Sequence, residues 1–131
     1  MAKTGKNKKI WLDDPRPGNY PAAQDYLELL YPEKVSELTV KNLMQCKTVM
    51  KKAKDILRAS GLPLLPADNI HVKENIQKVK KGEQLSPVLL VRAEKLIIAD
   101  GYHRVCSIYY LSEDLDIPCR LTDLYKSRTK S

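Results

Sequence analysis

Ile97-Ile98-Ala99-Asp100-Gly101-Tyr102-His103-Arg104-Val105 is the stretch of this 131-residue chain from which both fold and site are read. An apolar run ends at an Asp-Gly turn, and a helix then opens with a histidine and an arginine. The first backbone N–H groups of a helix have no intrahelical partners and lie at the positive end of its dipole, so such a turn suits an anion. Gly101 permits a tight turn and the close approach of a ligand to the backbone. Arg104 offers a planar fork that matches phosphate oxygens, and His103 can donate or accept near neutral pH. The stretch therefore predicts a strand–turn–helix phosphate cradle built from Gly101, Tyr102, His103, Arg104 and Val105. The same residues also read as an ordinary turn, with Asp100 as helix cap and two solvated cations behind it. A cation in the first helical turn opposes the dipole unless an anion is present, which favours the phosphate reading. On that reading, Arg104→Ala leaves the unliganded fold within about 0.5 kcal/mol of wild type.

Working outward, the helix from Tyr102 to about Ser112 is expected to bury Val105, Ile108, Tyr109 and Leu111. Ile117 to Leu121 then closes a sheet. On the other side, Val88 to Val91 is a continuous apolar run, the pattern of a strand covered on both faces. Ala93-Glu94 turns the chain into a strand over Leu96 to Ala99, placing the Asp100 turn at the carboxyl end of a central strand, where ligand crevices form. Asp68 or Asn69 caps a helix over 70–81 with Val72, Ile76 and Val79 inward and Gly82 as its stop. Leu62 to Pro66 is a short edge strand or extended lead-in.

The first half reads as helical. Trp11-Leu12 is an apolar anchor, followed by an irregular Pro-rich segment. A helix over 22–31 carries Tyr26, Leu27, Leu30 and Tyr31 on one side, and Pro32 sits in the first turn of a second short helix. Thr39 is the expected N-cap of a long helix reaching Ser60, with Gly61 as its cap. Val40, Leu43, Met44, Met50, Ala53 and Leu57 form its inward stripe at helical spacing. The expected architecture is α+β: a small mixed β-sheet with flanking helices, preceded by a helical N-terminal segment. Its parts are a disordered basic arm (1–9), a helical segment packed on the domain (10–61), the core (62–122) and a basic tail (123–131).

Composition narrows the function classes. The length suits one domain, and 43% hydrophobic content fits a soluble protein. No apolar run is long enough to span a membrane, so no membrane role and a cytoplasmic setting are expected. Cys46, Cys106 and Cys119 lack C-x-x-C spacing and have only His71 and His103 for company, so no zinc or other metal signature is present. Cys106 is read as a buried, inert thiol. The net charge of +7 matches Lys3, Lys6, Lys8 and Lys9 in the arm plus Lys126, Arg128 and Lys130 in the tail, leaving the body neutral. Those tails are candidate nucleic-acid contacts. So is a basic face formed by Lys41, Lys47, Lys51, Lys52, Lys54 and Arg58 on the long helix, with only Asp55 opposing, although such a face is commonly just solvated surface.

Three elements in order, Ser86-Pro87-Val88-Leu89-Leu90-Val91, then Leu96-Ile97-Ile98-Ala99-Asp100-Gly101-Tyr102-His103-Arg104, then Ile117-Pro118-Cys119-Arg120-Leu121, resemble the ParB/sulfiredoxin superfamily, in its D-G-x-H-R branch of ParB-like nuclease domains and free-serine kinases. The likeness covers residues 62–122. It implies an α+β nucleotide-binding domain that takes ATP, ADP or CTP at this turn. Tyr102 replaces the cysteine that sulfiredoxins need before His-Arg, so reduction of sulfinic acids is not expected. The Gly-Glu-Arg-Arg turn and the helix-turn-helix domain of the partition proteins are also missing.

The function expected from residues and resemblance together is binding of a nucleotide or phosphorylated small molecule, with phosphoryl transfer or nucleotide hydrolysis as the natural chemistry if there is turnover. His103 would contact phosphate or shuttle a proton, and Asp100 would cap the helix or hold a magnesium-bound water. Glu74 and Glu83 are the candidate carboxylates, each equally readable as a solvated residue. The competing classes are a DNA-binding or nuclease-type protein, with Lys47, Lys51 and Lys54 as its docking face, and a non-catalytic nucleotide-switched module that binds a partner.

Overall fold

The computed structural model describes residues 9–126. Nine elements follow in order: α1 (Asn19–Leu27), α2 (Glu33–Gln45), β1 (Thr48–Lys52), α3 (Ala53–Ser60), α4 (Ile70–Lys80), β2 (Val88–Arg92), β3 (Leu96–Asp100), α5 (Tyr102–Leu111) and β4 (Asp116–Asp123). The strands form one four-stranded sheet in the order β1-β4-β2-β3. β1 and β4 are antiparallel, β4 and β2 parallel, and β2 and β3 antiparallel, so the sheet is mixed as expected.

The double-sided burial of β2 organises the molecule. Val88 and Leu90 pack with Ile56, Leu57, Val72, Val105, Ile108 and Ile117 into one core. Leu89 and Val91 project the other way, into a second core with Ala23, Leu27, Val40, Leu43 and Ala99. Strand side chains alternate between faces, so one unbroken apolar run serves both cores. Helices α3, α4 and α5 therefore cover one face of the sheet, and α1 and α2 the other.

The long helix expected over 39–60 is instead α2, β1 and α3. Its inward stripe looked continuous because Val40 and Leu43 are followed, in helical phase, by Ala53 and Leu57. The stretch between them buries nothing in either core: Met44 and Met50 are each 54% exposed, and every β1 residue is exposed. Pairing with β4 overrides the local helical pattern there. Thr39 is no N-cap; it lies within α2, its Oγ1 donating to Val35 O and accepting from Tyr125 N. Arg120 fixes the break, Nη1 donating to the carbonyls of Met44 (3.3 Å) and Cys46 (2.9 Å) as α2 ends, and Nε to Thr48 Oγ1 on β1. The amides of Ala53 and Lys54 that open α3 donate to Leu115 O and Glu113 O.

Other boundaries shift less. Helix α1 starts and stops earlier than expected, leaving Tyr26 and Leu30 largely exposed while Leu27 is buried. Asn69 Oδ1 caps α4, accepting from His71 N and Val72 N. Leu62 to Pro66 forms no strand; Tyr102 and Tyr110 of α5 hold it by donating to Pro63 O and Leu65 O, both at 2.6 Å. The expected tail begins too early, since β4 runs to Asp123 and Leu124 N donates to Arg92 O. The expected 10–61 segment is not purely helical, because β1 supplies one edge of the sheet. The arm, apart from Lys9, and the tail beyond Lys126 lie outside the described residues. Among the described residues no helix is long and apolar enough to cross a membrane.

Candidate functional site

Gly101 sits between β3 and α5 with φ +114°, a region that glycine enters freely and other residues rarely. The reason for a glycine differs from the expected one. A Cβ there would lie 2.5 Å from Val88 Cγ1 and 3.0 Å from Arg104 Nη2, so the space is filled by the core and by Arg104, not kept open for a ligand. The strand preceding it is also corrected: β3 is an edge strand, not a central one. An irregularity between Leu89 and Leu90 leaves Ala99 out of register, and Asp100, paired with Leu89, ends the strand beside the turn.

Asp100 does not cap α5. Its Oδ2 accepts from Arg104 Nη2 at 2.8 Å, both side chains being more than four-fifths buried. The same nitrogen lies 3.3 Å from Pro87 O, and the buried Nε of Arg104 has no partner. Arg104 is thus tied into the framework, contrary to the expectation that its loss would leave the unliganded fold untouched. With Gly101 at the N-cap position, no N-cap side chain accepts from the first amides of α5. Val105 leaves the expected cradle: its N–H donates to Gly101 O at 2.9 Å and its side chain is fully buried. The hydroxyl of Tyr102 points away to Pro63 O, so Tyr102 can serve the cradle only through its backbone.

A cleft of about 300 Å³ opens at this helix end, lined by His71, Glu74, Asn75, Lys78, Asp100, Gly101, His103 and Arg104. Sequence reasoning placed Glu74 here but missed His71, Asn75 and Lys78 as members. Their signal was present: positions 71, 74, 75 and 78 share one face of a helix, flanking the Val72, Ile76 and Val79 stripe. Ser107 locks the two helices together, its hydroxyl within 3.0 Å of Val72 O on α4 and 2.7 Å of His103 O. Glu83 does not line the cleft.

The imidazoles of His71 and His103 meet edge to face, 4.9 Å between ring centroids. His71 Nδ1 is 3.6 Å from Glu74 Oε1. Burial, then the neighbouring His71, then Arg104 push the pKa of His103 below its ordinary value, favouring the neutral, proton-accepting ring. Lys78 forms no ion pair with the described carboxylates. Among the described residues no three His, Cys, Asp or Glu side chains gather closely enough to hold a metal ion.

A larger hollow of about 810 Å³ lies at the opposite end of β2 and β3, beside Arg92, Asp123 and Lys126. It holds the exposed Arg92–Asp123 pair and no histidine, so the smaller cleft has the richer chemistry. The basic face does not lie on one helix. Lys47 lies between α2 and β1, Lys51 on β1 and Lys54 on α3, where it pairs with Asp114 at 2.8 Å. Lys52 faces Asp116 and Arg58 faces Asp55. Cys106 is buried and burial raises its pKa; Cys119 is likewise buried, its pKa pushed up to about 12. Comparison with family models, curated proteins and solved structures finds no match to this chain.

Proposed function

We propose that this chain is a ParB/sulfiredoxin-like domain that binds a nucleotide or another phosphate compound in the cleft between α4 and the N-terminus of α5. One observation carries the reading: the uncapped end of α5 lies in a cleft ringed by Lys78, His71, His103 and Arg104. The amides of Tyr102, His103 and Arg104 and the ammonium of Lys78 are the groups for phosphate oxygens. Arg104, paired with Asp100, shapes the turn and leaves Lys78 as the cation for the phosphate. Neutral His103 suits a proton acceptor, which makes phosphoryl transfer or nucleotide hydrolysis the natural chemistry. Magnesium would come with the nucleotide, held by its phosphates and by Glu74 or Asp100, and would neutralise charge on the phosphates. Reduced, unpaired Cys46, Cys106 and Cys119 fit a cytoplasmic setting.

Thermal unfolding of the whole chain with ATP, ADP, CTP or GTP, with and without magnesium, tests the proposal. A ligand at about tenfold excess over its dissociation constant should add about 1.4 kcal/mol of stability. Lys78→Ala should reduce that gain without lowering the unliganded melting temperature. No response to any nucleotide or to inorganic phosphate at millimolar concentration contradicts it.

A further inference from the structure

We propose that the cleft between α4 and α5 takes a small hydroxylated phosphate monoester of the sugar-phosphate class, reading its phosphate and hydroxyl groups while any nucleobase stays outside. The inference rests on the phosphate reading above and narrows it. Two carboxylates stand among the cations of this cleft, Asp100 and Glu74. Asp100 is taken up by Arg104 at 2.8 Å. Glu74 is not so engaged. Lys78 lies one helical turn after it, the spacing and order that favour an ion pair. The carboxylate lies instead toward His71, Oε1 3.6 Å from Nδ1 and so beyond hydrogen-bond distance. A free carboxylate beside a phosphate repels it unless a donor stands between them. A hydroxyl on the ligand is such a donor, satisfying Glu74 while the phosphate lies on the α5 amides and Lys78. Asn75, half-buried beside Glu74 in the same cleft, points to a hydroxyl rather than an ammonium. Its amide both donates and accepts, as a hydroxyl does, whereas an ammonium only donates.

The cleft offers a nucleobase no compartment. Sites for flat heterocycles are lined mainly by apolar and aromatic side chains. Here Val72 and Val105 are fully buried in the core, and Ile76 and Val79 pack against it. The turn adds no depth, because Val88 fills the space behind Gly101. Tyr102 does not line the cleft, its hydroxyl being held on Pro63 O. The two imidazoles are the only rings in the lining, and they meet at 64°, which makes no common slot. A base laid on His71, which is 62% exposed, stays in water, and stacking of that kind does not tell one base from another. At about 300 Å³ the cleft also stands at the small end for ligand sites, with room for a phosphate and a short hydroxylated chain.

Calorimetric titration of the whole chain tests this, with inorganic phosphate, ribose 5-phosphate, AMP, CMP and GMP as probes. EDTA is present throughout, so that Glu74 is not read through magnesium. Ribose 5-phosphate should bind about tenfold more tightly than inorganic phosphate, the worth of a hydrogen bond to a charged group. AMP, CMP and GMP should fall within about threefold of one another and bind no more tightly than ribose 5-phosphate. Glu74→Ala, at an exposed position of α4, should abolish the ribose 5-phosphate advantage while inorganic phosphate binds at least as well as before. Ribose 5-phosphate binding no more tightly than phosphate overturns the inference. So does an advantage that survives both Glu74→Ala and Asn75→Ala, or one nucleotide preferred about tenfold over ribose 5-phosphate or over the others. In each of those cases inorganic phosphate still binds, and the phosphate reading stands. If no probe binds, inorganic phosphate included, that reading falls and takes the inference with it. If the variants fail to fold, the ranking of the probes on the wild-type chain decides.

Discussion

Gly101, Val88 and Arg104 form one steric unit. The Cβ that any other residue would bring to position 101 meets Val88 at 2.5 Å, in a backbone conformation of φ +114°. Gly101→Ala should cost about 2–4 kcal/mol, combining backbone strain with overpacking. Adding Val88→Ala should return part of that loss, a coupling that a double-mutant cycle by urea denaturation measures. Arg104→Ala should destabilise the unliganded chain by about 1.5–3 kcal/mol, because it leaves a largely buried Asp100 carboxylate without its partner at 2.8 Å. Arg104→Ala together with Asp100→Asn should cost less than Arg104→Ala alone. The glycine and the arginine were legible as special from their order in the chain. That Gly101 answers to the core before any ligand was not legible, because Val88 comes from another strand; the Asp100–Arg104 pair was within reach of the motif itself, its two members lying four residues apart.

At the scale of elements, periodicity served where a helix or strand has one dominant neighbour. Val88 to Val91 declared its two-sided burial, and the α4 stripe of Val72, Ile76 and Val79 declared its inner face. It failed over 44–52, where five exposed residues form a strand only because β4 supplies the ladder. Arg120 is the residue that enforces this break, through carbonyls at the end of α2 and Thr48 on β1. Arg120→Ala should lower stability by about 1.5–3 kcal/mol, with hydrogen exchange speeding up first across β1 and the last turn of α2. An equal loss of protection across the whole molecule would show that Arg120 holds no such local junction. The candidate site shows the same division. The α5 half was readable from one contiguous motif, whereas His71, Asn75 and Lys78 join it only through the packing of α4 on α5.

For the whole molecule, His103 ties stability and ligand affinity to pH. His103 is held below its ordinary pKa of 6.5, first by burial and then by His71 and Arg104, with Glu74, Lys78 and Asp100 also in the cleft. As pH falls below 6.5 the unfolded chain takes up the proton first, so stability declines until folded His103 is protonated as well. His103→Gln should flatten that decline in denaturation profiles between pH 7 and pH 5. A bound anion favours imidazolium and so opposes this downward shift. Sulfate, which does not titrate in this range, should therefore bind more tightly as pH falls.

The most direct test of the central claim is a titration of the labelled chain with inorganic phosphate and then ATP, followed through backbone amide resonances. The account predicts saturable shifts concentrated at Tyr102, His103 and Arg104, accompanied by the His71 and His103 ring signals and greatly weakened by Lys78→Ala. Shifts scattered over the surface lysines, or saturable shifts gathered around Arg92, Asp123 and Lys126 with Tyr102 to Arg104 unmoved, would contradict it.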